Sequence, residues 1–96
     1  MPAVARIADK CTGHGCYPPR PNDEGSGNVF INGKPVHRAG DYWLPHGCGD
    51  CTPHSSVLAS GSSSVYVNGK QMGRIGDPVA CGAKVAQGSG NVFCGG

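Results

Sequence analysis

Gly25-Ser-Gly-Asn-Val-Phe-Ile-Asn-Gly-Lys34 decides the fold, because it recurs as Gly61-Ser-Ser-Ser-Val-Tyr-Val-Asn-Gly-Lys70 and begins a third time as Gly88-Ser-Gly-Asn-Val-Phe93. Each of the first two copies continues into an Arg-x-Gly-Asp step. The N-terminus supplies the third such step as Arg6-Ile-Ala-Asp9. The chain is therefore predicted to be a threefold repeat with a circular offset.

Two Asn-Gly pairs, Asn32-Gly33 and Asn68-Gly69, lie in the middle of the complete copies. Asn and Gly tolerate the positive φ that both central residues of a type I′ turn require, so each copy is predicted to be a β-hairpin. A two-residue loop would pair Phe30 with Pro35 at a position without hydrogen bonds. Because proline has no N–H, the strand that contains Pro35 is expected to lie at a sheet edge.

The composition predicts one small domain, residues 1–96, with a small apolar core. The 96 residues include 17 Gly and 8 Pro, and only 38% are hydrophobic. Rigidity is therefore expected to need a metal, disulfides or a partner surface. Because Gly or Pro interrupts nearly every window of helical length, we predict an all-β fold of short strands and long loops with almost no helix.

Charge and hydropathy exclude several classes of protein. A net charge of +2 is too small for the phosphate-neutralising surface of a nucleic-acid binder. No apolar run approaches the roughly 18 residues of a membrane span, and the N-terminus lacks the basic and apolar regions of a signal peptide. Six Cys in a chain without an export signal are predicted to be free thiols or metal ligands, with disulfides as the alternative.

Three long loops, at residues 10–24, 42–60 and 78–87, carry three of the four His and five of the six Cys. The threefold repeat is expected to bring these loops together at one end of the molecule. Thiolate and imidazole ligands with few carboxylates nearby favour a structural Zn²⁺ in a four-coordinate site over Ca²⁺ or Mg²⁺.

The ligands are chosen by symmetry, because a site on the threefold axis should draw on all three loops and the third loop offers only Cys81. The predicted ligand set is His14, His46, His54 and Cys81. Cys48 and Cys51 are the alternative metal ligands, since a Cys-x-x-Cys spacing also suits zinc. Cys11 and Cys16 are interpreted as buried thiols, a disulfide or further alternative ligands.

Residues outside this set are given structural roles. His37 occupies the position of Ala5 and Gly73 in the other repeats, and is predicted to be an ordinary surface or strand histidine. The Arg and Asp of each Arg-x-x-Asp step are expected to shape a turn and, as exposed ions, to contribute little to stability.

The sequence predicts no catalysis. It contains a single Glu, Glu24, and no His-Glu-x-x-His motif that would supply a general base beside a zinc ion. Neither a phosphate-binding loop nor a nucleophile elbow is present.

The repeat resembles the proline-alanine-alanine-arginine (PAAR) repeat family over essentially the whole chain. The motif is matched, though literally in no repeat, by Pro2-Ala-Val-Ala-Arg6, Lys34-Pro-Val-His-Arg38 and Lys70-Gln-Met-Gly-Arg74. Short single-domain members have blocks similar to Cys11-Thr-Gly-His-Gly-Cys16, Ser56-Val-Leu-Ala-Ser-Gly61 and Gly73-Arg-Ile-Gly-Asp-Pro-Val-Ala-Cys81.

The resemblance implies a small cone of β-hairpins with pseudo-threefold symmetry. Its broad base would cap a trimeric β-helical spike, one copy per trimer, and its tip would hold zinc through three His and one Cys. Such a protein sharpens the spike of a type VI secretion system or a contractile phage tail, helps to pierce a target cell's envelope and carries effector proteins. It would reside in the bacterial cytoplasm before firing, and would then be secreted or virion-associated, touching the target membrane only transiently.

Two further expectations complete the interpretation. The base should expose unpaired strand edges and part of a set of apolar residues, namely Val29, Ile31, Val65, Val67 and Val92. The alternative function is a small zinc-ribbon-like nucleic-acid binder, suggested by the Cys48-x-x-Cys51 spacing, whereas the leading interpretation involves no nucleic acid. The additional Cys48, Cys51 and Cys94 leave the redox state and final ligand set open.

Overall fold

The computed structural model describes residues 1–13, 19–44, 46–48, 51–54 and 56–95, and for 46–48 and 51–54 it describes the backbone alone. Six short strands pair into three antiparallel hairpins, and no helix occurs among the described residues. The strands are β1 (Phe30–Ile31), β2 (Lys34–Pro35), β3 (His46–Cys48), β4 (Cys51–His54), β5 (Tyr66–Val67) and β6 (Lys70–Gln71). The all-β prediction is confirmed.

The two Asn-Gly turns form as predicted. Asn32 and Gly33 have φ values of 55° and 75°, as both central residues of a type I′ turn require. The register of β1 and β2 pairs Phe30 with Pro35, and the β5–β6 hairpin repeats this arrangement. Because each sheet has two strands, Pro35 lies in an edge strand, as predicted.

The third repeat unit has a hairpin-like pairing between the two ends of the chain, in addition to the three hairpins above. Ala3 pairs with Phe93, and the Cys94 N–H donates to the Pro2 carbonyl at 2.9 Å. These residues stand where β1 and β2 stand in the first complete copy, but no turn connects them. The circular offset predicted from the sequence is confirmed.

Each Arg-x-x-Asp step forms a β-turn closed by a hydrogen bond from the Asp N–H to the Arg carbonyl. The third residue of each turn is left-handed, with φ of 72° at Ala8 and 90° at both Gly40 and Gly76. Positive φ at this position is typical of a type II turn, which favours Gly. The expected role in turn geometry is confirmed, and Ala8 adopts a backbone conformation that strains an L-residue.

The Asp side chains of these turns are buried and the Arg side chains are only 11–14% exposed, so the prediction that they are exposed ions is wrong. Asp41 is 0% exposed and binds Arg38 through two contacts, Oδ2 to Nε at 2.8 Å and Oδ1 to Nη2 at 2.9 Å. The backbone N–H of Arg38 also donates to Asp41 Oδ2. This hydrogen bonding raises the pKa of Arg38. The pair is also held to its own unit, because the Arg38 guanidinium reaches the Gly25 carbonyl at 3.3 Å.

The same guanidinium ties each repeat to the turn of another repeat. Asn68 Oδ1 accepts hydrogen bonds from Ser26 Oγ at 2.6 Å and from Arg38 Nη1 at 3.0 Å. Asn32 accepts the equivalent pair of hydrogen bonds. In the third unit, where the turn is missing, the backbone carbonyl of Gly95 accepts them instead. The three units are therefore joined in a ring by polar contacts as well as by packing.

Three equivalent residues meet at the pseudo-threefold axis and join the units by backbone hydrogen bonds. The N–H of Ala5 donates to Gly73 at 2.8 Å, that of Gly73 to His37 at 2.9 Å, and that of His37 to Ala5 at 3.1 Å. The side chain of His37 is 0% exposed, so the prediction of an ordinary surface or strand histidine is wrong. One large side chain fills the axis because the other two positions hold the smallest residues.

The core consists of two small clusters, consistent with the low apolar content. The tip cluster comprises Ala5, Cys11, Trp43, Leu58, Val79, Ala83 and Val85. The base cluster comprises Val4, Val36, Val67 and Cys94. The molecule is elongated, measuring 38 × 24 × 22 Å. Within the described ranges, nothing forms a helix with the length and apolar character needed to span a bilayer.

Candidate functional site

The three long loops leave the core at one end, and each begins with the same backbone contact. The residue two positions after each turn Asp donates its N–H to a residue at the far side of its loop. These bonds join Cys11 to Arg20, Trp43 to Ser56 and Val79 to Ala83, at 2.8–2.9 Å. The loops therefore start from symmetric positions, as predicted, although they differ in length and composition.

All three loops line one small cavity at this end. Its volume is about 10 Å³, close to that of a single water molecule. The lining residues are Cys11, Arg20, Trp43, Leu44, Ser56, Val79 and Cys81. The convergence of the loops, which the repeat predicted, is thus seen in the residues that precede and follow the His-rich segments.

The loops are joined to one another around this cavity. The Thr12 N–H donates to the Lys84 carbonyl at 2.8 Å, which links the first loop to the third. The Ala80 N–H donates to the Val57 carbonyl at 2.9 Å, which links the third loop to the second. Cys81 follows the second of these links directly.

The structure describes the predicted ligands to different extents: it includes the side chain of Cys81 and only the backbone of His46 and His54. Cys81 is a free, half-buried thiol packed against the tip cluster and lining the cavity. His46 and His54 are directly paired in the register of β3 and β4, a hairpin that grows out of the Trp43–Ser56 contact at the cavity. His14 lies outside the described residues, one position beyond Gly13.

The alternative ligands Cys48 and Cys51 are paired in the same β3–β4 hairpin. The side chains of this hairpin also lie outside the described part of the chain. Among the side chains that are described, no group of three His, Cys, Asp or Glu is close enough to hold a metal ion. Both predicted ligand sets therefore stay predictions.

The residues that are placed fit a soft metal ion. A free thiol lies where the three loops meet, and the backbones of two His face each other on the hairpin that starts there. Thiolate and imidazole are the donors that a structural zinc site uses. No carboxylate lines the cavity among the described residues, so the donors near it suit zinc better than calcium or magnesium.

Each cysteine whose side chain is described, namely Cys11, Cys81 and Cys94, is a free thiol. Cys11 is buried, and its Sγ accepts a hydrogen bond from the Arg20 N–H at 3.4 Å. Cys94 is buried in the base cluster. The interpretation of Cys11 as a small buried thiol is therefore confirmed for this structure, and the suggested partner Cys16 lies outside the described residues.

The opposite end of the molecule carries an exposed ring of aromatic side chains that the sequence analysis missed. Phe30, Tyr66 and Phe93 occupy equivalent positions in the three units and are 55%, 57% and 50% exposed. Strand alternation explains this, because the next residue of each strand turns towards the base cluster. The alternation of outward-facing and inward-facing residues is visible in the sequence. It identifies Phe30, Tyr66 and Phe93 as exposed once the inward-facing residues of each strand are known.

The apolar residues predicted for the base are only partly correct. Val65 is exposed, whereas Val67 is buried in the base cluster. Val29, Ile31 and Val92 pack against that cluster and are partly covered. The prediction is wrong for Val67, since the turn register places this residue on the inner face of its hairpin.

Comparison with known proteins agrees with the repeat. A family model described as "PAAR motif" matches residues 12–87 of the 96-residue chain. No curated protein sequence matches the chain.

Proposed function

The chain belongs to the PAAR-motif family, a family of structural spike-tip proteins, and on that premise we propose that it caps and sharpens a trimeric spike. The host machine would be a type VI secretion system or a contractile phage tail. Before firing the protein would reside in the bacterial cytoplasm, and afterwards it would be secreted or virion-associated, with effector proteins as further partners.

The observation that supports this proposal is the set of three exposed aromatic side chains at the base, Phe30, Tyr66 and Phe93. Three equivalent apolar side chains around a pseudo-threefold axis match the symmetry of a trimer's end, since each can contact one subunit in the same way. Exposed aromatics are also the residues that contribute most to protein interfaces. One copy of this monomer would therefore satisfy all three subunits of the spike at once.

The opposite end would act as the point. His14, His46, His54 and Cys81 would hold a zinc ion, with Cys48 and Cys51 as alternative ligands. When bound, zinc supplies a closed structural cross-link between loops that have little core of their own. Cys81 is anchored by the tip cluster and the two His by a hairpin, so the loops would be held by elements that are already folded.

Piercing would need shape and rigidity rather than a reaction. The buried Arg–Asp pairs and the ring of Asn, Ser and Arg contacts join the three units without a large core. The protein would be driven passively through the target envelope by contraction of the machine, and we infer no catalytic step.

The docking surface can be tested by co-purification with a candidate trimeric spike. A Phe30→Ser/Tyr66→Ser/Phe93→Ser variant should lose binding while keeping its fold, because all three side chains are exposed. Tyr42→Ser is the matched control, since Tyr42 is an equally exposed aromatic that is paired with Val57 beside the tip loops. Loss of binding in the control alone, or three copies of the protein per trimer, would contradict the proposal.

The tip can be tested by metal analysis and X-ray absorption. Cys81→Ala should lose zinc, whereas Cys94→Ala, a change at a buried thiol of the base cluster, should retain it. A shell of three nitrogens and one sulfur supports the His14, His46, His54 and Cys81 set, and additional sulfur would instead assign Cys48 or Cys51. An oxygen ligand would indicate an open, catalytic type of site.

The zinc-ribbon alternative predicts salt-dependent binding to DNA or RNA. A gel-shift experiment at low salt separates it from the spike-tip function, which requires no nucleic acid. No feature of the described residues favours this alternative.

A further inference from the structure

Among the described residues, His37 is the ionisable side chain at the pseudo-threefold axis, and neither the proposed spike-tip function nor the proposed metal site uses it. It lies between the two core clusters, following Val36 of the base cluster and packing its ring edge-on against Trp43 of the tip cluster. The two ring centroids are 5.0 Å apart, with an interplanar angle of 79°. The equivalent positions hold Ala5 and Gly73, so the imidazole has no counterpart in the repeat.

The hydrogen bonding of His37 fixes the tautomer of its neutral ring. Nδ1 lies 2.8 Å from the backbone carbonyl of Glu24. Since a carbonyl oxygen can only accept, Nδ1 carries the proton and donates it. The neutral ring therefore has an unprotonated Nε2, and this atom is buried without a hydrogen-bond partner among the described residues.

The charged groups around His37 do not offer an acceptor to Nε2. Asp41 is bound by Arg38 and lies 3.9 Å from Lys70 Nζ, and a side-chain oxygen of Glu24 accepts the Tyr42 N–H at 2.9 Å. The fields of Asp41 and Glu24 favour the protonated ring and that of Arg38 opposes it, but desolvation by burial is the largest effect and lowers the pKa of His37 below 6.5.

We propose that His37 is an acid-sensitive plug of the pseudo-threefold axis. Uptake of a proton at Nε2 would place a cation in a dry site beside Trp43, where Nε2 has no acceptor among the described residues. Such a charge is tolerated only if the imidazole leaves the axis or the site opens to water. Either change separates the base cluster from the tip cluster, so acid loosens the molecule at its centre.

The sign of the pH dependence follows from the same site. A histidine whose pKa is lower in the folded state than in the unfolded state contributes stability that is complete above the unfolded value of 6.5. As the pH falls below that value, the unfolded chain takes up the proton first, and the folded state loses its advantage. The contribution of His37 to stability should therefore be complete above neutrality and should decrease in mildly acidic solution.

The test compares urea unfolding of the zinc-loaded full chain at pH 7.5 and pH 5.0 for the wild type and for His37→Asn. Asn keeps an N–H donor for the Glu24 carbonyl but cannot be protonated. Both proteins carry the same predicted metal ligands, so any loss of metal in acid affects them equally. The urea midpoint of the wild type should decrease more than that of the variant, and an equal decrease in both would overturn the proposal.

A second measurement on the wild type decides the matter even if the variant does not fold. The ¹⁵N shift of His37 Nε2 should remain that of an unprotonated nitrogen below pH 6.5, until the protein opens. Trp43, the single tryptophan, reports the opening through its fluorescence. A His37 resonance that titrates at 6.5 or higher, with no change in Trp43, would show that the folded axis accommodates the charge and that His37 is no plug.

Discussion

The base and the tip of this molecule start from the same symmetry but treat it differently. In the base, the amides of Val4, Val36 and Met72 make equivalent hydrogen bonds of 3.0 Å each to Val92, Val29 and Val65. In the tip, Cys11, Trp43 and Val79 occupy positions that are equivalent to one another in the three units. Their amides donate hydrogen bonds across loops of different length. The base therefore repeats one backbone hydrogen-bond arrangement three times, whereas the tip is formed by three different loops.

This contrast indicates where each half obtains its stability. Equivalent contacts in the base are satisfied within the repeat, through strand pairing, the buried Arg–Asp pairs and the Ser–Asn–Arg contacts. The tip has a small apolar cluster and loops with few regular bonds among the described residues. A structural metal would be the kind of cross-link that such loops need, and it would account for the five of six Cys and three of four His that the sequence places in the tip loops.

Removing the metal should sharpen the contrast most. Structural zinc contributes on the order of 10 kcal/mol to the folding of small domains, so a chelator should release the tip first. In hydrogen exchange, the amides of Cys11, Trp43 and Val79 should lose protection, whereas those of Val4, Val36 and Met72 should retain part of theirs. Added zinc should restore the tip, and a zinc-saturated chelator is the control. Simultaneous loss of all six amides would contradict independent stabilisation of the two halves.

A break in one buried Arg–Asp pair should have the next largest effect. Asp41→Asn leaves the guanidinium of Arg38 without its carboxylate in a covered site, and removing one partner of a buried ion pair costs about 3–5 kcal/mol. Asp77→Asn is the matched comparison, because the side chain of Asp77 is more exposed than that of Asp41. Urea unfolding should give a larger loss for Asp41→Asn. Equal, small losses would return these pairs to the surface-ion role that the sequence analysis assigned.

Close packing within one unit of the base can be tested at one glycine. A Cβ at Gly61 would lie only 2.4 Å from the Met72 carbonyl oxygen, whereas nothing lies within 4 Å of a Cβ at Gly27. Gly61→Ala should therefore cost about 2–4 kcal/mol, in the range of overpacking or more. Gly27→Ala should be neutral or stabilising by about 0.4–1 kcal/mol. Thermal unfolding measures both, and equal tolerance would mean that the unit can relax around its first residue.

The sequence predicted the hairpins and their circular order because Asn-Gly turns fix φ and register locally. Asn32-Gly33 alone determines which residue faces Pro35. It did not predict the burial of Asp41 or His37, since burial at these positions depends on how closely whole units approach one another. His37 fills the axis only because Ala5 and Gly73 are small, and a comparison of three separated positions at a common axis would have been required to see this.

The candidate site was predictable to a different extent. The convergence of three loops followed from the repeat, and Cys81 lies at their meeting point. The aromatic ring of the base was missed, because the three valine-containing strands were treated as one apolar surface without assigning their inner face. The inner face follows from the side on which Val67 and Cys94 meet the base cluster, which is a tertiary fact.

The smallest expected effect concerns the Arg6–Asp9 turn, which has Ala instead of Gly at its left-handed position. Ala8 is left-handed with a φ of 72°, where the other two units have Gly40 and Gly76. An L-residue in the left-handed conformation costs roughly 1–2 kcal/mol, and the change to glycine would remove this cost. The unfolded chain is more flexible with glycine, which offsets about 0.4–1 kcal/mol of the gain. Ala8→Gly should therefore raise the free energy of unfolding by about 0.5–1 kcal/mol, measured in urea. The matched change Ala39→Gly, in a residue of the second turn without positive φ, should lower it, and a loss in both variants would mean that the Ala8 turn is not strained.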